Sequence, residues 1–113
     1  MATEKKYQSF WNFYPYYLTG HGDAKNRLLH FIGTAGLLTI LIIAIALQKW
    51  WMLALIPVCG YGFAWVGHFF IEKNRPATFT YPLYSLGSDF VMFWHILTGQ
   101  INKKLEEAKR IIN

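Results

Sequence analysis

The chain has 113 residues, enough for one domain and no more. Its composition is 54% hydrophobic and 19% aromatic with only 15% charged residues, which is more apolar surface than a soluble domain of this size can bury. The formal net charge of +5 comes with no compact basic patch and no nucleic-acid-binding motif. We therefore expect a membrane partner and no nucleic-acid partner.

The first segment, residues 7–18, is dense in tyrosine and tryptophan, whose rings favour the headgroup level of a membrane. We interpret it as a short interfacial helix that ends near Pro15. An aromatic lid packed on the rest of the domain fits the same residues equally well. No clean apolar core follows the N-terminal lysines, so we expect no cleavable signal peptide.

Two apolar runs follow, and each is long enough to cross a membrane. The first predicts a transmembrane helix over residues 27–48. Asp23 is placed to be the N-cap of the helical turn that leads into it. The second predicts a transmembrane helix over residues 50–72, in which Pro57 and three glycines favour a kink and close helix contact. Because only a short turn at Gln48 and Lys49 separates them, the two helices should be antiparallel.

An antiparallel hairpin folded at that turn brings distant polar residues to one level. His30 lies nineteen residues before Lys49 and His68 lies nineteen after it, so both histidines should reach the same depth. Asn26 and Glu72 pair in the same way, twenty-three residues before and after. The count alone therefore predicts one polar cluster at one face of the membrane.

Positive charge is concentrated on the side that holds both ends of this hairpin. Lys49 is alone at the turn, against six cations on the other side: Lys5, Lys6, Lys25, Arg27, Lys73 and Arg75. The positive-inside rule then places the polar cluster and the termini on the cytoplasmic side.

The last third of the chain predicts two shorter helices. Ser85 or Ser88 can cap a helix over residues 86–99, which is short for a full crossing and which we interpret as re-entrant or interfacial. Residues 100–113 repeat apolar side chains at helical spacing, typical of an amphipathic tail lying in solvent or headgroups. The predicted fold is therefore all-α: a single membrane-embedded domain over residues 1–113, built as a small integral membrane helical bundle.

The candidate site consists of three histidines and one carboxylate: His21, His30, His68 and Glu72. Three imidazole nitrogens and one oxygen can hold iron or zinc and leave positions open for water, dioxygen or substrate. Two plainer interpretations stay open. Histidines at helix ends are often only hydrogen bonded, and Glu72 could instead pair with Arg75 or Arg27.

Four further residues are candidates for binding substrate. Arg27 and Arg75 could hold a carboxylate through two hydrogen bonds, or could serve only as membrane anchors. Asn26 and Asn74 stand beside them, although such amides more often orient neighbours. Asp89 lies in an apolar segment and could be a secondary metal ligand or could hydrogen-bond to a residue that binds the metal. We rank His95 below the other histidines.

The arrangement of these residues resembles one family. The matching motifs are His21-x4-Asn26-Arg27-x2-His30 with Gly33, then Gly67-His68-x3-Glu72-x-Asn74-Arg75-Pro76-Ala77, then Pro82-Leu83-x-Ser85-Leu86-x2-Asp89-Phe90-x-Met92. They resemble the 2-hydroxy-palmitic acid dioxygenase family, which is named for the metabolism of phytosphingosine to odd-numbered fatty acids.

The resemblance implies a multi-pass membrane enzyme that depends on Fe²⁺ and dioxygen. It would remove C1 from a 2-hydroxy fatty acid, with His21, His30 and His68 as iron ligands and Glu72 beside them. The implied compartment is the endoplasmic reticulum in eukaryotes, and a bacterial inner membrane fits this chain as well. The alternative function is a non-catalytic structural or assembly module, or a haem- or quinone-binding protein. The substrate's chain length and the formation of homo-oligomers stay open.

Overall fold

The computed structural model describes residues 7–112, and all regular secondary structure in this part of the chain is helical, with no strand. Five α-helices follow one another: α1 (Phe10–Thr19), α2 (Ala24–Leu47), α3 (Leu55–Val66), α4 (Pro82–Leu97) and α5 (Ile101–Ile112). Trp50–Ala54 and Ala77–Phe79 form short 3-10 turns, and Gly67–Glu72 forms a π-helical turn directly after α3. The predicted all-α class is confirmed. Lys5 and Lys6, used in the orientation argument, lie outside the described residues.

The described residues form two compact units. Asp23–Lys73 is the paired-helix unit, with α2, α3 and the turns around α3. Residues 7–22 and 74–112 form the aromatic unit, with α1, α4 and α5.

The paired-helix unit is organised by the turn between its two long helices. Asp23 caps α2 as predicted, its carboxylate accepting a hydrogen bond from the Lys25 N–H at 2.8 Å. At the other end, Gln48 adopts a left-handed conformation with φ of 53°, and the Lys49 N–H returns to the Ala44 carbonyl at 3.0 Å. The chain therefore reverses within two residues, where the sequence predicts the turn.

Small residues allow α2 and α3 to approach closely while running in opposite directions. A Cβ added to Gly36 would lie 2.7 Å from the Cys59 Sγ, and one added to Gly60 would lie 3.0 Å from a Leu37 methyl. Pro57 lies in the first turn of α3, directly after the 3-10 turn Trp50–Ala54, and the kink expected there stays a prediction. Close contact through glycine is confirmed at Gly60.

Two segments of this unit, Ala24–Leu47 and Trp50–Glu72, are long and apolar enough to cross a membrane. Only 22% and 17% of them, respectively, is buried inside the protein. A helix from a soluble core would be mostly buried, so their exposed apolar side chains favour a lipid environment.

The aromatic unit has a core of rings from α1 packed against α4 and α5. Phe13, Tyr17 and Leu18 are almost fully buried, and Met92 of α4 closes the same core. The α1 helix does not end near Pro15 as predicted, but continues to Thr19. Proline removes one hydrogen bond from the helix, and the buried rings on either side of it hold the helix together.

The other two helices of this unit also differ from their predictions. Neither Ser85 nor Ser88 caps α4, because the helix begins earlier, at Pro82, whose fixed φ suits the first helical position. The α5 helix is amphipathic as predicted, and Arg110 lies 3.8 Å from Glu106. Its apolar face is not left to solvent or headgroups, since Leu105 and Ala108 are buried in the core.

Candidate metal centre

His30 and His68 lie side by side in the paired-helix unit. His30 is on α2 and His68 is in the π-helical turn after α3; their ring centroids are 5.0 Å apart and the rings meet edge to face. Both side chains are buried, with 5% and 3% of their surface exposed. His30 and His68 are equally far from Lys49 in the sequence, and the structure places them next to each other as this count predicts.

Glu72, the last residue of the π-helical turn, contacts the start of α2. Its Oε1 accepts a hydrogen bond from the Asp23 N–H at 2.6 Å and a longer one from the Asn26 Nδ2 at 3.4 Å. A carboxylate is favourable there because the N-terminal end of a helix has free N–H groups and partial positive charge. The predicted pairing of Asn26 with Glu72 is thus present. The Oε1 atom of Glu72 accepts hydrogen bonds from both residues at the start of α2.

Asn26 and Gly67 fit against each other next to His68. Asn26 is fully buried, and among residues 7–112 its Oδ1 has no hydrogen-bond partner. A Cβ on residue 67 would lie only 1.8 Å from this Oδ1, so the site requires glycine. The amide thereby sets how closely α2 approaches the residue that precedes His68.

His21 belongs to the aromatic unit, where it is 1% exposed. Its Nδ1 is 2.6 Å from the Tyr17 carbonyl oxygen, and its ring stacks on the Tyr17 ring with centroids 4.1 Å apart. A neutral imidazole that donates from Nδ1 to a carbonyl keeps Nε2 unprotonated, which is the form that binds a metal. Nearby, the Asn74 Nδ2 donates to the Gly20 carbonyl at 3.0 Å.

Tyr17 also connects His21 to Asp89 of α4. The Tyr17 hydroxyl donates to the Asp89 carboxylate. Burial raises the pKa of Tyr17 well above its usual value, and the Asp89 charge and the hydrogen bond act in the same direction, so the hydroxyl stays protonated. Sequence reasoning singled out Asp89 but missed Tyr17, which lies near the end of α1, four residues before His21 in the turn that follows.

Three other candidate residues, His95, Arg75 and Arg27, lie apart from the contacts described above or have a different environment. His95 meets the Tyr14 hydroxyl through its Nδ1 at 2.7 Å, within the aromatic unit. Arg75 is exposed; its Nη1 donates to the Thr80 hydroxyl at 3.3 Å, and its guanidinium lies 5.4 Å from the centre of the Phe79 ring. Arg27 is half-buried on α2, one turn before His30.

His30 and His68 are two buried imidazole donors that could hold a metal ion together with further ligands. Neutral imidazoles suit iron, zinc and other first-row metals, so the donor type alone does not select one of them.

A model of the 2-hydroxy-palmitic acid dioxygenase Mpo1-like family matches residues 7–101. The chain belongs to this family. No curated protein and no solved structure gives a match.

The match to the Mpo1-like family covers every predicted site residue and ends at Ile101, the first residue of α5. The family name indicates a dioxygenase role on a 2-hydroxy fatty acid. The resemblance stated from the motifs is therefore confirmed at the level of the family.

Proposed function

We propose that this protein is an Fe²⁺-dependent membrane dioxygenase that shortens 2-hydroxy fatty acids by one carbon. The observation that carries the proposal is the buried pair of imidazoles, His30 and His68, in a chain of the Mpo1-like family. In the balanced reaction, one 2-hydroxy acid and one O₂ give the acid one carbon shorter, CO₂ and water. The C1–C2 bond breaks, and dioxygen is the only oxidant required.

The donor set fits an iron ion. His30 and His68 would be two of its ligands, and we assign His21 as the third. A single residue separates His21 from Asp23, and the Asp23 N–H already bonds to Glu72 in the unit that holds the histidine pair. The chain therefore keeps His21 within reach of this end of α2. When bound, the iron would supply the activation of dioxygen.

Glu72 stabilises the start of α2 in addition to its proposed role as a metal ligand. Its Oε1 stabilises the start of α2, so ligation would have to use its other carboxylate oxygen. Asn26 and Asn74 make structural hydrogen bonds, which supports an orienting role more than direct contact with substrate.

For the substrate carboxylate we favour Arg27 over Arg75. Arg27 lies three residues before His30 on α2, a spacing that puts both on one face of the helix. Arg75 already packs on Phe79 and Thr80. A guanidinium can hold a carboxylate through two parallel hydrogen bonds, which would orient C1 and C2 of the substrate.

The membrane arrangement is part of the same proposal. The two apolar segments would cross the bilayer as an antiparallel hairpin, with the histidines at the cytoplasmic face of an inner membrane or of the endoplasmic reticulum. The α4 helix has 16 residues and spans about 24 Å, less than the hydrocarbon thickness, which supports a re-entrant or interfacial position. A homo-oligomer is compatible with this arrangement.

Anaerobic purification, iron analysis and product detection from 2-hydroxypalmitate test the proposal. We expect bound iron and a product one carbon shorter, both lost in His30→Ala and His68→Ala. His95→Ala is the matched control, because that histidine contacts Tyr14 and should leave iron binding intact. A metal-free protein that is indifferent to the first two substitutions would contradict the enzyme and favour a structural module. A Soret absorption band would instead indicate haem.

A further inference from the structure

An open groove runs along one face of α3 in the paired-helix unit. It has a volume of about 640 Å³, within the range of small-molecule sites. Its α3 wall includes Leu55, Val58, Gly62 and Val66, at spacings that keep them on one helical face; Leu29 and Ile40 of α2 form the opposite wall. All these walls are apolar, so the groove suits a hydrocarbon and offers nothing to a polar ligand.

One end of the groove lies at the depth of the histidine pair. Leu29 directly precedes His30, and Val66 comes two residues before His68. From this end the groove follows α3 back to Leu55, eleven residues or about 16 Å along the helix. That length is about half the thickness of the hydrocarbon core, the depth that one lipid tail reaches.

Gly62 gives the groove its width at mid-length. A Cβ added there would meet no atom within 4 Å, unlike at Gly36 and Gly60, where an added Cβ would meet the neighbouring helix. Gly62 was expected to serve close helix contact, and the structure shows it instead facing open space. A large side chain at position 62 would therefore fill the groove without disturbing the packing of α2 against α3.

We infer that this groove holds the hydrocarbon tail of the 2-hydroxy fatty acid and so limits the chain length that the protein accepts. The inference rests on the proposed function for the identity of the head group. With the carboxylate and hydroxyl at the histidine end, the tail lies beside α3 from Val66 towards Leu55. The open side of the groove lets the substrate enter laterally from the bilayer.

The test measures binding and needs no turnover. The protein is placed in phosphatidylcholine nanodiscs with a photoactivatable 2-hydroxy fatty acid whose reactive group is near the tail end, and labelled residues are mapped by mass spectrometry. We expect labelling to concentrate at the groove and to be displaced by unlabelled long-chain 2-hydroxy acid. Gly62→Leu should weaken binding of the long-chain acid about tenfold, since the new side chain displaces about two methylenes. A short-chain acid should bind as before.

Ala46→Leu is the matched control, because it introduces the same side chain at an exposed position of the same unit outside the groove. Val58→Phe is a second variant that narrows the groove from its exposed rim, where Val58 is 69% exposed. Labelling spread evenly over the apolar surface, or equal binding by the wild type and both groove variants, would show that bulk lipid covers this face and would overturn the inference. Neither result depends on iron or product, so failure of the proposed dioxygenase activity would be seen separately.

Discussion

Tyr14 and Tyr17 are one turn apart on α1, and the hydroxyl of each forms a hydrogen bond with a residue of α4. Tyr14 meets His95, while Tyr17 donates to Asp89 and also holds His21 by its carbonyl and its ring. Two similar tyrosines are thus available for comparison, and only one of them contacts a proposed metal ligand.

Tyr17→Phe removes the hydrogen bond to Asp89 and keeps the ring and the carbonyl. Substitution of a residue that orients a metal ligand typically lowers metal affinity about 10- to 100-fold. We therefore expect the apparent affinity for Fe²⁺ or Co²⁺ to fall about tenfold, measured by metal titration of the apo protein. Tyr14→Phe should leave the affinity unchanged. Asp89→Asn, which retains an acceptor, should have a smaller effect than Asp89→Ala. Equal losses in the two tyrosine variants would indicate that Tyr17 matters for packing alone.

His95 provides a prediction about pH. Burial lowers the pKa of His95, Lys104 lowers it further, and Glu107 opposes them in part. The unfolded chain therefore takes up a proton at this residue at a higher pH than the folded chain does, so stability falls as the pH drops below about 6.5. We expect His95→Gln to reduce this loss in thermal unfolding measured from pH 7.5 to pH 5. An unchanged pH dependence would contradict the assignment.

At the scale of elements, the contact between α2 and the π-helical turn sets the geometry of the histidine pair. Gly67→Ala forces a Cβ against the Asn26 amide, and we expect it to destabilise the protein by about 1–3 kcal/mol and to weaken metal binding. Gly62→Ala is the matched control in the same segment. With open space around it, it should stabilise the helix by about 0.5–1 kcal/mol. Thermal unfolding in detergent measures both, and similar effects from the two would refute the role of Gly67.

The sequence predicts these elements best where a simple count decides the geometry. The turn at Gln48 and Lys49 fixes which residues of α2 and α3 share a level, so the partners of His30 and Asn26 follow from their distance to it. The π-helical turn could not be predicted, because no residue in Gly67–Glu72 distinguishes it from a continuing α-helix.

The errors in the aromatic unit have a different physical origin. Pro15 predicts a helix end, but proline costs one hydrogen bond and the packing of Phe13 and Tyr17 outweighs that cost. The general preference of serine for caps predicts Ser85 or Ser88 as the cap of α4, whereas Pro82 determines where this helix starts. The contact of Tyr17 with Asp89 joins residues far apart in sequence, and no local pattern predicts it.

For the whole molecule, membrane topology is the property to measure. Cys59 is the only cysteine, so a Cys59→Ser background permits single cysteines at Lys25, Lys49 and Lys103. If the hairpin crosses a bacterial inner membrane, an impermeant maleimide applied to intact cells should label Lys49→Cys from outside and Lys25→Cys only after lysis. Lys103→Cys should behave like Lys25→Cys if α4 does not span the bilayer. Labelling of all three from one side would rule out the hairpin.

The α5 helix lies almost wholly beyond the region that the Mpo1-like family model matches, yet Leu105 and Ala108 close the core that contains Phe13 and Leu18. A protein shortened to the matched region would keep every proposed ligand and would leave the rings behind His21 uncovered on one side. The region of family likeness therefore ends before the core is complete, and a piece for biochemical study should include α5.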